Sequence, residues 1–128
     1  MEQPLRIPPD LSYAVLCAFP PSDALGAHSL IGILNEIVAP ELPYAKQVYL
    51  VVAWQRGMGT FRFQYRITDQ DGALVAESQP DLIAMEQDGN EMTYPSKIHF
   101  SRPGLYLIEG FLDDDRCFRI TLRTSLRA

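Results

Sequence analysis

The chain has 128 residues, a hydrophobic fraction of 47% and a formal net charge of −5. The length fits one domain over residues 1–128 with a core of its own, and the composition excludes a disordered chain. The acidic balance argues against a nucleic-acid footprint, and the longest strongly apolar run, Val48 to Trp54, falls far short of the ~20 residues a spanning helix needs.

The stretch Met1 to Asp10 lacks a basic leader followed by an apolar run, so no secretory signal is read and the cytoplasm is the expected compartment. Strand-like periodicity then dominates. Leu11 to Phe19 reads as a strand stopped by Pro20-Pro21, which cannot continue a ladder. Ser22 to Ala27 is a loop, and His28 to Leu34 reads as a second strand with Gly32 marking a bulge or a close backbone approach. Pro40 and Pro43 exclude a useful helix over Asn35 to Ala45, which leaves a crossover loop with room for one helical turn. Lys46 to Gln55 is apolar on both faces, the mark of a central strand.

After a turn at Arg56 to Gly59, Phe61, Phe63, Tyr65 and Ile67 alternate with Arg62, Gln64 and Arg66, which predicts a strand with one wet face. Asp69-Gln70-Asp71-Gly72 predicts a hairpin turn, because Asp-Gly readily takes the positive backbone angles such turns require. Ala73 to Glu77 pairs back and ends before Pro80, Leu82 to Met85 forms a short strand, and Gln87 to Asn90 is a further turn. Thr93 to Phe100 is interrupted by Pro95 and belongs at a sheet edge. Leu105 to Leu112 and Cys117 to Leu122 complete the set, with Phe118, Ile120 and Leu122 inward and Cys117 outward or at the strand end. Together these predict an all-β fold, an immunoglobulin-like β-sandwich of seven to nine mostly antiparallel strands.

Pro103-Gly104-Leu105-Tyr106 suggests a tyrosine corner, in which a buried ring sends its hydroxyl to backbone a few residues upstream. Asp69, Asp71 and Asp113 to Asp115 invite a calcium reading, but the spacing lacks the further ligands of a calcium loop, and solvated turns are the simpler account. His28 and His99 have no partner at zinc-site spacing. Cys17 and Cys117 are expected as free thiols in a reducing compartment, with one bridge as the alternative. No metal, cofactor or catalytic residue is assigned. The outward arginines carry the sharper expectation. Arg62 and Arg66 flank Gln64, and Arg119 and Arg123 flank Thr121. If those strands share a sheet, the four form a basic patch on an acidic protein and a candidate contact for the acidic segment 69–91 of a neighbour.

Cys17, the run Ser29-Leu30-Ile31-Gly32-Ile33, Asp71-Gly72 and Pro103-Gly104-Leu105-Tyr106 carry a resemblance over most of the chain. The chain resembles a family of small bacterial single-domain proteins known as a domain of unknown function. The resemblance implies a cytoplasmic β-sandwich and no active-site residue. The functional expectation is a non-enzymatic module for a protein partner or self-association, acting through a sheet face or edge, without nucleic acid or membrane. The alternatives are a sugar- or lipid-binding domain using Tyr44, Trp54 and Tyr94, and an enzyme pairing Cys17 or Cys117 with His28 or His99.

Overall fold

Inward-facing apolar side chains recur at every second residue along most of the chain, and each such run becomes a strand. In the computed structural model, which describes residues 5–128, the strands run β1 (Asp10–Cys17), β2 (Glu36–Ala39), β3 (Tyr44–Gln55), β4 (Gly59–Asp69), β5 (Leu74–Glu77), β6 (Asp81–Met85), β7 (Asn90–Phe100), β8 (Gly104–Leu112) and β9 (Asp115–Leu126). Ala24–Gly26 forms one 3-10 turn. Among the described residues no helix is long and apolar enough to cross a membrane. The reading of the N-terminus as leaderless rests partly on residues 1–4, which lie outside the described residues.

Two sheets pack face to face as a β-sandwich. The smaller has the order β1-β3-β7, so the doubly apolar β3 is central as expected. The larger has the order β2-β9-β8-β4-β5, with β6 pairing to the same side of β4 as β5, so β5 and β6 make one broken edge. All pairings between these strands are antiparallel except β2 with β9, which is parallel. Pro95 lies on β7, an edge strand, where its missing N–H costs no ladder bond.

The inner faces supply one core. Val48, Leu50, Val52 and Trp54 of β3 meet Phe61, Phe63, Tyr65 and Ile67 of β4, and all are buried. Each such large side chain contributes roughly 1.5–3 kcal/mol when fully buried. Trp54 meets Phe63 edge-on at 6.0 Å between ring centroids. The tyrosine corner is present: Tyr106 is 2% exposed and its hydroxyl donates to the Arg102 carbonyl at 2.7 Å. Gly110 lies opposite Phe118, whose ring occupies the space a Cβ would need, at 2.2 Å.

Two expectations are corrected. His28 to Leu34 is not a strand. It makes only isolated bridges, Ser22 with Ser29 and Cys17 with Ile33, and Ile31 and Ile33 remain exposed. Its apolar residues gave it strand composition, but no neighbouring strand faces it over its length. The supposed loop from Asn35 contains β2, whose bonding partner is β9, at the far end of the chain. The chain from Gly32 to Ala39 thereby changes sheets. The Gly32 carbonyl accepts from Ala18 N–H and Leu34 N–H donates to Leu16, on the β1 edge; the Asn35 carbonyl then accepts from Arg123 N–H on the other sheet. One side of the sandwich is closed by this segment.

Candidate interaction face

The four singled-out arginines do share a sheet. Arg62 and Arg66 stand on β4, Arg119 and Arg123 on β9, and β8 separates the two strands. All four are on the outer face, since their sequence neighbours Phe61, Phe63, Tyr65, Ile67, Leu122 and Thr124 are buried inward. The expected basic patch is nevertheless corrected to a mixed one, because strand register interleaves carboxylates. Glu77 lies opposite Arg66, Arg66 opposite Glu109, and Glu109 opposite Arg119. Glu36 lies opposite Arg123.

The arginines are not equivalent. Arg62 pairs with Asp114 at the β8–β9 turn. Arg119 and Arg116 converge on Glu109, at 3.6 and 3.1 Å, leaving that carboxylate 13% exposed. Arg66 lies over the Phe111 ring, 5.0 Å from its centroid. Among the described residues, Arg66 and Arg123 have no carboxylate within ion-pair distance. Two shallow clefts of about 240 and 490 Å³ flank Arg66 and share Glu77. Leu107 and Phe111 border the charged row on either side along β8.

The acidic turns are occupied by internal partners. Asp113 accepts from Arg62 N–H at 2.9 Å and from Arg6 at 2.6 Å, and these bonds, the backbone one first, hold its carboxyl below the usual range. Asp69 accepts from the N–H groups of Ala73 and Asp71, its carboxyl is likewise held down chiefly by Ala73, and Arg102 clasps both Asp69 and Asp71. Among the described residues no cluster of three or more acidic, His or Cys side chains is arranged to hold a metal.

The other outer face is built differently. Tyr13, Ala53 and Glu91 form one cross-strand row, Val15, Val51 and Thr93 the next, and Cys17, Tyr49 and Pro95 a third. Cys17, Val51 and Ala53 point away from the core yet are 0%, 0% and 7% exposed. Residues 18–34 leave the end of β1, reach Glu91 of β7 and return to Cys17, roofing the part of this face around Cys17, Val51 and Ala53 while Thr93 and Pro95 stay exposed. His28 is the tie: Nδ1 meets Asp23 at 2.7 Å and Nε2 meets Glu91 at 2.8 Å, while the Tyr13 hydroxyl donates to the same Glu91. The bonds to Asp23 and then Glu91 raise the His28 pKa, and burial first, then Glu91, pushes the Tyr13 phenol up to about 12. Sequence reasoning passed over this cluster because its members are separated by up to 78 residues.

The thiols are free. Burial pushes Cys17 up, and pushes Cys117 up to about 11. Cys117 is not outward: it packs against the core and its Sγ lies 3.3 Å from the Gly110 carbonyl, because a bulge at Gly110/Phe111 shifts the strand phase there. Of the three aromatics considered for a ligand, Trp54 is core, and Tyr94 is packed on Phe63 with its hydroxyl donating to Asp81 at 2.8 Å. Tyr44 is half-buried against the core.

No curated protein matches the chain in sequence. Among solved structures, it is similar to a glycosyl hydrolase family 2 member from Bacteroides cellulosilyticus DSM 14838, at 16% identity and a TM-score of 0.54, over 76% of this chain and 17% of that one. A second structure of a family 2 member from Bacteroides cellulosilyticus gives 15% identity and a TM-score of 0.53, over 76% and 16%. A beta-glucosidase from Listeria innocua in complex with glucose follows at 14% identity and a TM-score of 0.45, over 72% and 15%, a likeness that carries no argument. The chain thus spans between 15% and 17% of the length of these proteins, and the likeness shows the sandwich fold alone. A family model matches residues 12–125, and the chain accordingly belongs to the family of unknown function DUF6941.

Proposed function

We propose that this protein is a non-enzymatic interaction module whose contact surface is the outer face of the six-stranded sheet. The observation that carries the reading is the contrast between the faces: the chain covers the Cys17, Val51 and Ala53 part of one with its own residues 18–34 and leaves the other bare among the described residues, with Arg66 and Arg123 unpaired on it. A mixed-charge face bordered by Leu107 and Phe111 has the make-up of a specific contact, in which charges set register and partner choice. Two thiols raised by burial stay protonated near neutrality and are poor nucleophiles, which supports the non-enzymatic reading. Unbridged cysteines suit a reducing compartment such as the cytoplasm. We read the sandwich as immunoglobulin-like, supported by the tyrosine corner and by the parallel pairing of β2 with the last strand.

Site-directed photo-cross-linking tests this. A photoreactive residue placed at Leu107 is expected to give adducts of raised mass in cells, and one placed at Lys97, on the other sheet, is expected to give none. Adducts from Lys97 alone, or from neither position, would sink the reading.

A further inference from the structure

We propose that the partner for this face is a second copy of the chain, held in a closed two-fold pair; the inference rests on the interaction reading above. Its basis is the charge order across the strands. From β5 to β9 the row reads Glu77, Arg66, Glu109, Arg119, that is negative, positive, negative, positive.

Such a row is complementary to itself in one orientation. A two-fold axis lying between the faces, parallel to the strands and midway between β4 and β8, reverses the row without shifting it along the strands. Glu77 of one copy then meets Arg119 of the other, and Arg66 meets Glu109, in both directions. An axis along the row sets each charge against its own copy, which like-charge repulsion disfavours. The favoured operation closes after two copies, so it does not propagate into a filament.

The flanking rows agree with this orientation. Leu107 of each copy falls on Thr68 of the other, and Phe111 falls near Gln64. Leu74, 57% exposed at the broken edge, falls near Thr121. The clefts that share Glu77 lie where Arg119 and Arg116 of the second copy arrive, and give those long side chains room. The geometry tolerates sheet twist. Strands are about 4.8 Å apart, so the outermost pair sits about 7 Å from the axis, and a crossing of about 30° displaces it by about 3–4 Å, within the reach of Arg and Glu. Pairing also gives Arg66 a carboxylate it lacks among the described residues, and lets Arg119 turn from a Glu109 shared with Arg116 to Glu77, which otherwise accepts only from the Gln64 amide among the described residues.

The test is a charge swap on the full chain, read by light scattering and sedimentation equilibrium at low and high salt. The wild-type protein is expected to dimerise at low salt and to dissociate as salt rises. Arg66→Glu and Glu109→Arg should each raise the dimer Kd by about tenfold or more, because each sets like charges together twice. The double swap Arg66→Glu/Glu109→Arg restores complementarity and should restore the dimer. Mixing the two single variants should give a heterodimer that neither forms alone. If Glu109→Arg, crowded by Arg116 and Arg119, fails to fold, the outer pair Arg119→Glu and Glu77→Arg supplies the same four-way test at more exposed positions. A wild-type protein that stays monomeric at low salt overturns the proposal, as does a dimer indifferent to all of these swaps. Monomeric protein whose Leu107 still cross-links to other proteins in cells overturns the two-fold pair while the interaction reading stands.

Discussion

On the three-stranded sheet, Cys17, Val51 and Ala53 point away from the core and are still buried, because residues 18–34 fold back across them. On the six-stranded sheet, the outward positions of β4 and β8 carry Arg66, Thr68, Leu107 and Glu109, and none of these is fully buried. The two faces therefore obey different rules within one sandwich. An apolar run on both sides of a strand marks a strand that is covered twice, here once by the opposing sheet and once by a loop. A strand alternating apolar with charged residues marks a face the chain itself leaves uncovered.

The sharpest way to break that comparison is to put one charge on each face. Val51→Asp buries an unpaired carboxylate under the roof and is expected to cost about 3 kcal/mol or more, seen as a large drop in melting temperature. Leu107→Asp, on the bare face, is expected to cost less than about 1 kcal/mol. Equal losses would mean that the faces do not differ as described.

Next in size is the shared frame between the faces. Gly110→Ala would place a Cβ 2.2 Å from the Phe118 ring, and overpacking of that kind costs about 1–3 kcal/mol in a denaturant midpoint. Tyr106→Phe removes the bond to the Arg102 carbonyl and should cost about 1 kcal/mol, felt by both sheets in a single cooperative transition.

The smallest effect concerns the roof alone. The His28 pKa is raised above its unfolded value by Asp23 and Glu91, so its contribution is complete below about pH 6.5 and is lost as pH rises through the folded value. Tyr13, which shares Glu91, stays neutral through that window. Amide protection factors in residues 18–34 should therefore fall between pH 5.5 and 8.5 while those in β8 and β9 hold. His28→Ala should remove the difference. Protection in residues 18–34 that is level across that range in the wild type would detach His28 from the roof.

Much of the frame was legible in the residues. Phe61, Phe63, Tyr65 and Ile67 announced their strand because one face is wet and the other dry. Pro103 to Tyr106 announced the corner because a buried phenol has few places to send its hydroxyl. Pro95 announced an edge. What failed was whatever depended on a distant partner. Glu36 to Ala39, four residues before a proline, is a strand only because residues 123–126 lie beside it. Ile31 and Ile33 have strand composition, but no strand lies alongside that segment. The arginine face was half legible: the two-residue spacing placed Arg62 with Arg66 and Arg119 with Arg123. The register that sets Glu109 between Arg66 and Arg119 is a property of three strands together.

The parallel pairing of β2 with β9 has a consequence for how the protein is made. Glu36 leaves the ribosome 87 residues ahead of Arg123, its partner. At synthesis rates of about 5–20 residues per second, that edge waits roughly 4–17 s for its neighbour. Throughout that interval Ile37 and Ala39, both bound for the interior, belong to a nascent chain whose sandwich has one side still unsealed. Closing it is therefore an act of β9, and the nascent chain stays open to stray pairing until that strand has been made.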